Sequence, residues 1–133
     1  MPAIANITVK KNDGTTDIIW TGVQPSSGDG TPATWKSQTV GTASAHQPEL
    51  RLSARDANKG SHRLLRLTFQ YPQIATNSTT SVTSVVQKAT STLEMEIPKA
   101  MASADVNEAV SQLTNLIDSS LIVSCLKEGY SAT

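Results

Sequence analysis

The chain of 133 residues holds one cysteine, two histidines, 4% aromatic residues and no surplus of either charge, with Lys+Arg 11 against Asp+Glu 11. Each scarcity excludes something. Cys125 has no partner in the chain, so no internal disulfide can form and a zinc site built from several thiolates is excluded. His46 and His62 lie outside any HxxxH or HExxH spacing, at the starts of strand-like runs, so neither metal ligation nor general-base chemistry has a supporting pattern. No apolar run approaches the ~18 residues of a membrane helix. Pro2, Asn6 and Lys10 interrupt the N-terminus where an export signal needs its hydrophobic stretch, and the expectation is a cytosolic protein with no membrane partner. The length fits one modest domain over 1–133 and leaves no room for two independent cores.

The neutral total conceals an uneven distribution. Residues 49–70 carry Arg51, Arg55, Lys59, Arg63 and Arg66 against Glu49 and Asp56, a local charge of +3. Residues 94–128 carry six carboxylates against Lys99 and Lys127, a local charge of −4. Such asymmetry fits either an ordinary solvated surface or a face that meets an anion.

Ser and Thr supply 33 residues, and most of the first hundred positions are β-branched or turn-forming, which favours a β-meander. Ile4 to Lys11, Asn12-Asp13-Gly14 and Thr15 to Val23 predict a hairpin spanning about 3–23, because Asp-Gly tolerates the backbone angles of a tight turn. Pro25 to Pro32 reads as a polar loop and Trp35 to Val40 as a short strand, the first of a sheet covering about 34–97. From Glu49 to Arg55, Leu50, Leu52 and Ala54 alternate with Arg51, Ser53 and Arg55, which places apolar groups on one face and guanidiniums on the other. Ala57 to Ser61 is the turn. Leu65, Leu67, Phe69 and Tyr71 then share one parity while Arg66, Thr68 and Gln70 share the other, so antiparallel pairing gathers Arg51, Arg55 and Arg66 on one surface. Pro72 to Ser84 reads as a mobile Thr/Ser-rich loop, and Val85 to Ile97 as a long last strand ended by Pro98.

After Pro98 the period changes. Val106, Ala109, Val110, Leu113, Leu116 and Ile117 recur at three-and-four spacing, predicting an amphipathic helix that Ser103 or Asp105 caps. Asp118-Ser119-Ser120 interrupts it, and Leu121, Ile122, Cys125 and Leu126 predict a second helix stopped at Gly129, the pair spanning about 103–127. Helices of these lengths reach only about 20 Å and 13 Å at ~1.5 Å per residue, thin cover for a sheet of five or more strands. A second copy adding its own helices completes the burial, so an obligate homodimer is expected, with Val106, Val110, Leu113, Leu116, Ile117, Leu121 and Ile122 at its interface.

Catalytic chemistry finds no constellation. Asp105 and Glu108 suit the first turn of a helix through its macrodipole, Glu94 and Glu96 read as exposed or interface acids, and Gly28-Asp29-Gly30 lacks the Lys-Ser/Thr of a phosphate-binding loop. Asn6-Ile7-Thr8 and Asn77-Ser78-Thr79 match a glycosylation sequon that needs export to matter. Cys125 falls on an apolar stripe, and Trp20 and Trp35 fit core or subunit packing better than ligand stacking. The expectation is no enzyme, no cofactor and no metal. What remains is a polar sheet face with Arg51, Ser53, Arg55, Arg66 and Thr68, joined by Lys88, Thr90 and Thr92 of the last strand, a set suited to phosphate and sugar contacts. Phe69 and Tyr71 fall on the opposite parity, which disfavours a base-stacking module.

The order of features resembles the coat protein of the small single-stranded RNA bacteriophages, the leviviruses. The residues that carry it are Asn12-Asp13-Gly14, Thr34-Trp35, Leu50-Arg51-Leu52-Ser53-Ala54-Arg55, Leu65-Arg66-Leu67-Thr68-Phe69-Gln70-Tyr71-Pro72 and Leu93-Glu94-Met95-Glu96-Ile97-Pro98, followed by two helices. The resemblance covers nearly the whole chain and implies an α+β fold: an N-terminal hairpin and a five-stranded antiparallel sheet, then two C-terminal helices interlocked with those of a second subunit. It implies a capsid protein that dimerises, assembles into an icosahedral shell, packages the single-stranded RNA genome and also binds an RNA hairpin as translational repressor. It places the protein in the virion, after synthesis in the bacterial host cytoplasm, and sets the polar-parity residues named above against the RNA. Where well-known members carry a base-stacking tyrosine, this chain has Thr90. A soluble dimeric RNA-binding repressor that forms no shell is the alternative reading.

Overall fold

The structure, a computed structural model, describes residues 2–132. Residues up to Glu96 form one compact unit and those from Ile97 another. The strands are β1 (Ile7–Lys10), β2 (Asp17–Gln24), β3 (Ala33–Lys36), β4 (Glu49–Ala57), β5 (His62–Thr76) and β6 (Thr83–Pro98), and they form one sheet in sequential order. The hairpin is part of that sheet, because β2 pairs with β1 on one edge and with β3 on the other, so the meander counts six strands with the hairpin included.

The β1–β2 turn is built by Asp13. Its carboxylate accepts from the Thr15 and Thr16 amides, each at 2.9 Å, and from the Thr16 hydroxyl at 2.6 Å, while Gly14 takes φ +71°. These bonds, the Thr16 hydroxyl foremost, hold the Asp13 pKa down to about 2 from 3.8. A carboxyl whose pKa is lower folded than unfolded supports the turn fully above its ordinary value, and that support is lost as pH falls through the folded value. The Thr15 and Thr16 amide resonances are therefore expected to titrate near pH 2; a midpoint at 3.8 would show that Asp13 does not hold the turn.

Strand β1 starts at Ile7 and not Ile4, and two further differences from the sequence expectation have a physical cause. The third strand is Ala33–Lys36 and not Trp35 to Val40. Its ladder with β4 runs from Ala33↔Leu52 to Lys36↔Glu49, and the next position faces Pro48, which has no N–H to donate. Beyond it the Ser37 hydroxyl bonds that of Thr39 at 2.5 Å, and this local pairing replaces the ladder. The second difference is the segment Pro72 to Ser84, most of which is strand: β5 runs to Thr76 and β6 starts at Thr83. The ladder with β4 ends at Gln70, so Pro72 removes no bond from that edge, and the flanking Thr and Val residues favour extended backbone. Only 77–82 turns, organised by the Asn77 side chain, which accepts from the Thr79 and Thr80 amides at 2.8 and 3.2 Å.

In the sheet unit Trp35 is the buried large apolar residue among those described, with its indole N–H donating to the Ala5 carbonyl at 2.8 Å. Trp20 lies against Phe69 at a centroid distance of 5.8 Å, so both tryptophans serve packing.

The other unit holds α1 (Ser103–Ile117) and α2 (Ser120–Glu128), bent by 55° between them. The N-cap of α1 is Ala102 with no side-chain cap; Ser103 is already helical and Asp105 sits in the first turn, where its charge suits the helix dipole. Gly129 ends α2 at φ +75°, its N–H donating to the Cys125 carbonyl at 2.8 Å, as the sequence predicts. No residue of either helix is fully buried. Val106 and Leu113 are half-buried, while Val110, Leu116, Ile117, Leu121 and Ile122 are exposed. No single helix among the described residues is long and apolar enough to cross a membrane.

Candidate nucleic-acid interface

Nine antiparallel pairs join β4 to β5, from Glu49↔Gln70 to Ala57↔His62. Opposed residues share a face, so Arg51↔Thr68 and Ser53↔Arg66 lie on one side, and Leu50↔Phe69, Leu52↔Leu67 and Ala54↔Leu65 on the other. The expected segregation holds along these pairs; at the far end Leu64 falls on the polar side and Arg63 on the apolar side. Arg55 continues the polar row opposite Leu64. Thr34 and Lys36 of β3 join the same face through Thr34↔Arg51 and Lys36↔Glu49.

The last strand adds to it. Lys88 lines one hollow with Arg51 and Gln70, and Glu94 meets Arg66 Nε at 3.3 Å, which sets Lys88, Thr90, Thr92 and Glu94 on the polar side by their shared parity. Glu96, of that parity too, accepts from Asn58 Nδ2 at 2.5 Å. Across β3–β6 this face carries five cations, Lys36, Arg51, Arg55, Arg66 and Lys88, against Glu49, Glu94 and Glu96, a surplus of two.

Not every arginine of the basic segment serves this face. Arg63 sits at the opposite parity and clamps the 25–32 loop, giving Asp29 a two-pronged bond at 2.8 and 2.9 Å and Asp56 a third at 2.8 Å. That bond holds the Asp29 carboxyl below its usual value and raises the Arg63 guanidinium. On the polar face Arg51 pairs through Nε with Glu49, and Arg66 with Glu94, with both arginine side chains more than half exposed. The Arg66–Glu94 pair, open to water on both sides, contributes only about 0–1 kcal/mol, so an anion can compete for that guanidinium, whereas Glu49 is only 15% exposed. Arg55 and Lys88 have no partner among the described residues.

The sequence reading overlooked Lys36, and it counted Glu49 in the charge of the segment without placing it beside Arg51. The alternation Thr34–Trp35–Lys36 contains the signal for Lys36, but a strand placed at Trp35 to Val40 loses the register that carries it. Among the described residues no group of three or more His, Cys, Asp or Glu could hold a metal ion. The opposite side of the sheet carries an apolar groove of about 700 Å³ lined by Ile7, Val9, Ile18, Trp20, Leu50 and Phe69.

A family model for the levivirus coat protein matches residues 2–130. The chain belongs to this family. Its fold is matched by solved coat-protein structures across nearly the full length. The virus-like particle of Beihai levi-like virus 21 aligns with a TM-score of 0.83 at 18% identity, over 99% of each chain. That of bacteriophage NT-214 aligns at 0.84 and 13% identity, over 99% of this chain and 100% of the other. The bacteriophage GA protein capsid aligns at 0.75 and 20%, over 95% of each. Comparison with curated protein sequences finds no match. This levivirus coat protein is a structural capsid protein, it self-assembles into a shell, and its place is the capsid of the virion. The six-stranded antiparallel sheet followed by two helices is the coat-protein fold.

Proposed function

We propose that this coat protein acts as an obligate homodimer, a single domain over 1–133, made in the cytoplasm of a bacterial host, and that the polar sheet face packages single-stranded RNA. The observation that carries the RNA reading is the register of β4 and β5, which aligns Arg51, Ser53, Arg55, Arg66 and Thr68 on one side and Leu50, Leu52, Ala54, Leu65, Leu67 and Phe69 on the other. Lys88, Thr90 and Thr92 extend the contact set along β6. A surplus of two charges per subunit is modest, but a shell repeats it many times. Contacts that are weak singly add along one RNA molecule.

The dimer reading rests on exposed apolar surface. Leu116 and Leu121 are 61% and 60% exposed in the single chain, and an apolar stripe of this kind needs a partner to leave water. Val106, Val110, Leu113, Ile117 and Ile122 complete the proposed interface, and the groove at Trp20 and Phe69 offers apolar surface for a second copy. Capture of an RNA hairpin as translational repressor is a further use of the same polar face; Thr90 offers a hydroxyl there and no ring for a base to stack on.

Negative-stain electron microscopy and absorbance of the purified protein test the reading. Regular particles with a 260/280 ratio above that of protein alone are expected. Dimers that never form particles would favour a free repressor, and particles without nucleic acid would remove the RNA assignment.

A further inference from the structure

The turn between β5 and β6 carries chemistry of its own. Every residue of 77–82 is exposed, yet the turn is held in one shape. The Asn77 N–H donates to the Val82 carbonyl at 2.9 Å, the Ser81 N–H to the Asn77 carbonyl at 2.8 Å, and the Thr76 and Thr83 hydroxyls meet beneath at 2.8 Å. Ser81 takes φ +56° to close it. Inside this frame Asn77 Oδ1 accepts from the Thr79 and Thr80 amides at 2.8 and 3.2 Å. Asn77 Nδ2 and the Ser78 N–H have no partner among the described residues.

Two donors aimed at one carbonyl oxygen stabilise the negative charge that gathers there when a nucleophile adds to its carbon. The nucleophile is already tethered, because attack by the Ser78 nitrogen on Asn77 Cγ closes a five-membered ring. The other asparagines lack this set. Asn58 gives its Nδ2 to Glu96 at 2.5 Å, and Asn6 takes one donor, from Gly22 at 3.2 Å, and precedes the β-branched Ile7. Asn12 precedes Asp13, whose charge opposes loss of the amide proton, and Asn107 and Asn115 lie within α1, where the next N–H belongs to the helix ladder. At the two Asp-Gly steps the Gly14 and Gly30 N–H groups are engaged by the Lys11 and Ala54 carbonyls at 2.9 and 2.8 Å.

We infer that Asn77-Ser78 is a self-modification site, at which the turn promotes loss of the Asn77 amide nitrogen as ammonia. Hydroxide takes the Ser78 amide proton, the nitrogen bonds to Cγ, and the carbonyl electron pair moves onto Oδ1 under the Thr79 and Thr80 amides. When the carbonyl re-forms, the Cγ–Nδ2 bond breaks and Nδ2 leaves with a proton from water. Water then opens the cyclic imide at either carbonyl, giving aspartate or isoaspartate. Either product adds one negative charge to a chain whose formal charge is zero. Isoaspartate also routes the main chain through the former side chain, so the two bonds to Oδ1 are lost and the turn must rearrange. The reaction is independent of what the polar face binds.

Assembled particles aged in mildly alkaline heavy-oxygen water and digested with trypsin test this by mass spectrometry. The peptide from Leu67 to Lys88 contains Asn77 as its one asparagine. It is expected to convert from amide to acid with one heavy oxygen, to separate into aspartyl and isoaspartyl forms, and to do so before any other asparagine peptide. Ser78→Val crowds the attacking nitrogen and should slow the conversion severalfold. A second comparison needs no variant: in denaturant the Thr79 and Thr80 donors are gone, so Asn77 should convert more slowly than in particles while the other asparagines convert faster. Faster or equal conversion of Asn77 in denaturant would show that the turn does not promote the reaction. An aspartyl product alone would mean direct hydrolysis without attack by Ser78, and an intact Asn77 beside converted asparagines elsewhere would remove the site.

Discussion

Leu116→Asp and Leu121→Asp are each expected to abolish particles and leave monomers or aggregates. In the single chain these side chains are 61% and 60% exposed, and substitutions at such positions usually change stability by no more than about 0.5 kcal/mol. A protein working as a monomer would tolerate them. In a dimer that buries the helical stripe, each replacement forfeits about 1.5–3 kcal/mol of apolar burial and adds the cost of a carboxylate without a partner. Two-fold symmetry repeats the loss at the second copy. The sum exceeds about 5 kcal/mol, more than three orders of magnitude in the dimer dissociation constant. Sedimentation velocity and electron microscopy give the readout, and normal dimers from either variant would overturn the proposed interface.

The triple variant Arg51→Ala, Arg55→Ala, Arg66→Ala should assemble and carry little RNA. Removing the three guanidiniums takes the polar face from a surplus of two positive charges to a deficit of one: Glu94 stays behind without Arg66, and Glu49 keeps only Lys36. The face then repels phosphate. None of the three belongs to the apolar side of the sheet, so subunit folding and pairing should survive. The 260/280 ratio of purified particles is expected to fall toward that of protein alone, and the RNA left behind to dissociate at lower salt than from wild type, since each lost phosphate contact removes about 0.7 from the salt slope on a single strand. Unchanged RNA content would place the nucleic acid elsewhere.

The sequence and the structure divide this result along physical lines. Alternation is local: Leu50-Arg51-Leu52-Ser53-Ala54-Arg55 needs only the two-residue period of an extended chain to send its guanidiniums one way and its leucines the other. The change to three-and-four spacing after Pro98 and the stop at Gly129 are local as well, and they placed both helices to within a few residues. Strand limits are less local. Pro48 ends β3 from across the ladder, and the Thr/Ser-rich run after Pro72 becomes strand because β6 is there to pair with it.

Sequence alone thus determined which residues share a face, where helix replaces strand, and that the helices present an apolar stripe too large for one chain to ignore. Tertiary structure decided which charges on that face are spoken for. Arg63 reaches Asp29 thirty-four positions away, Arg66 finds Glu94, and Lys36 arrives beside Arg51 through the β3–β4 register. Side-chain periodicity says which way a group points; the partner it meets depends on the register between strands, and register is a property of the assembled sheet.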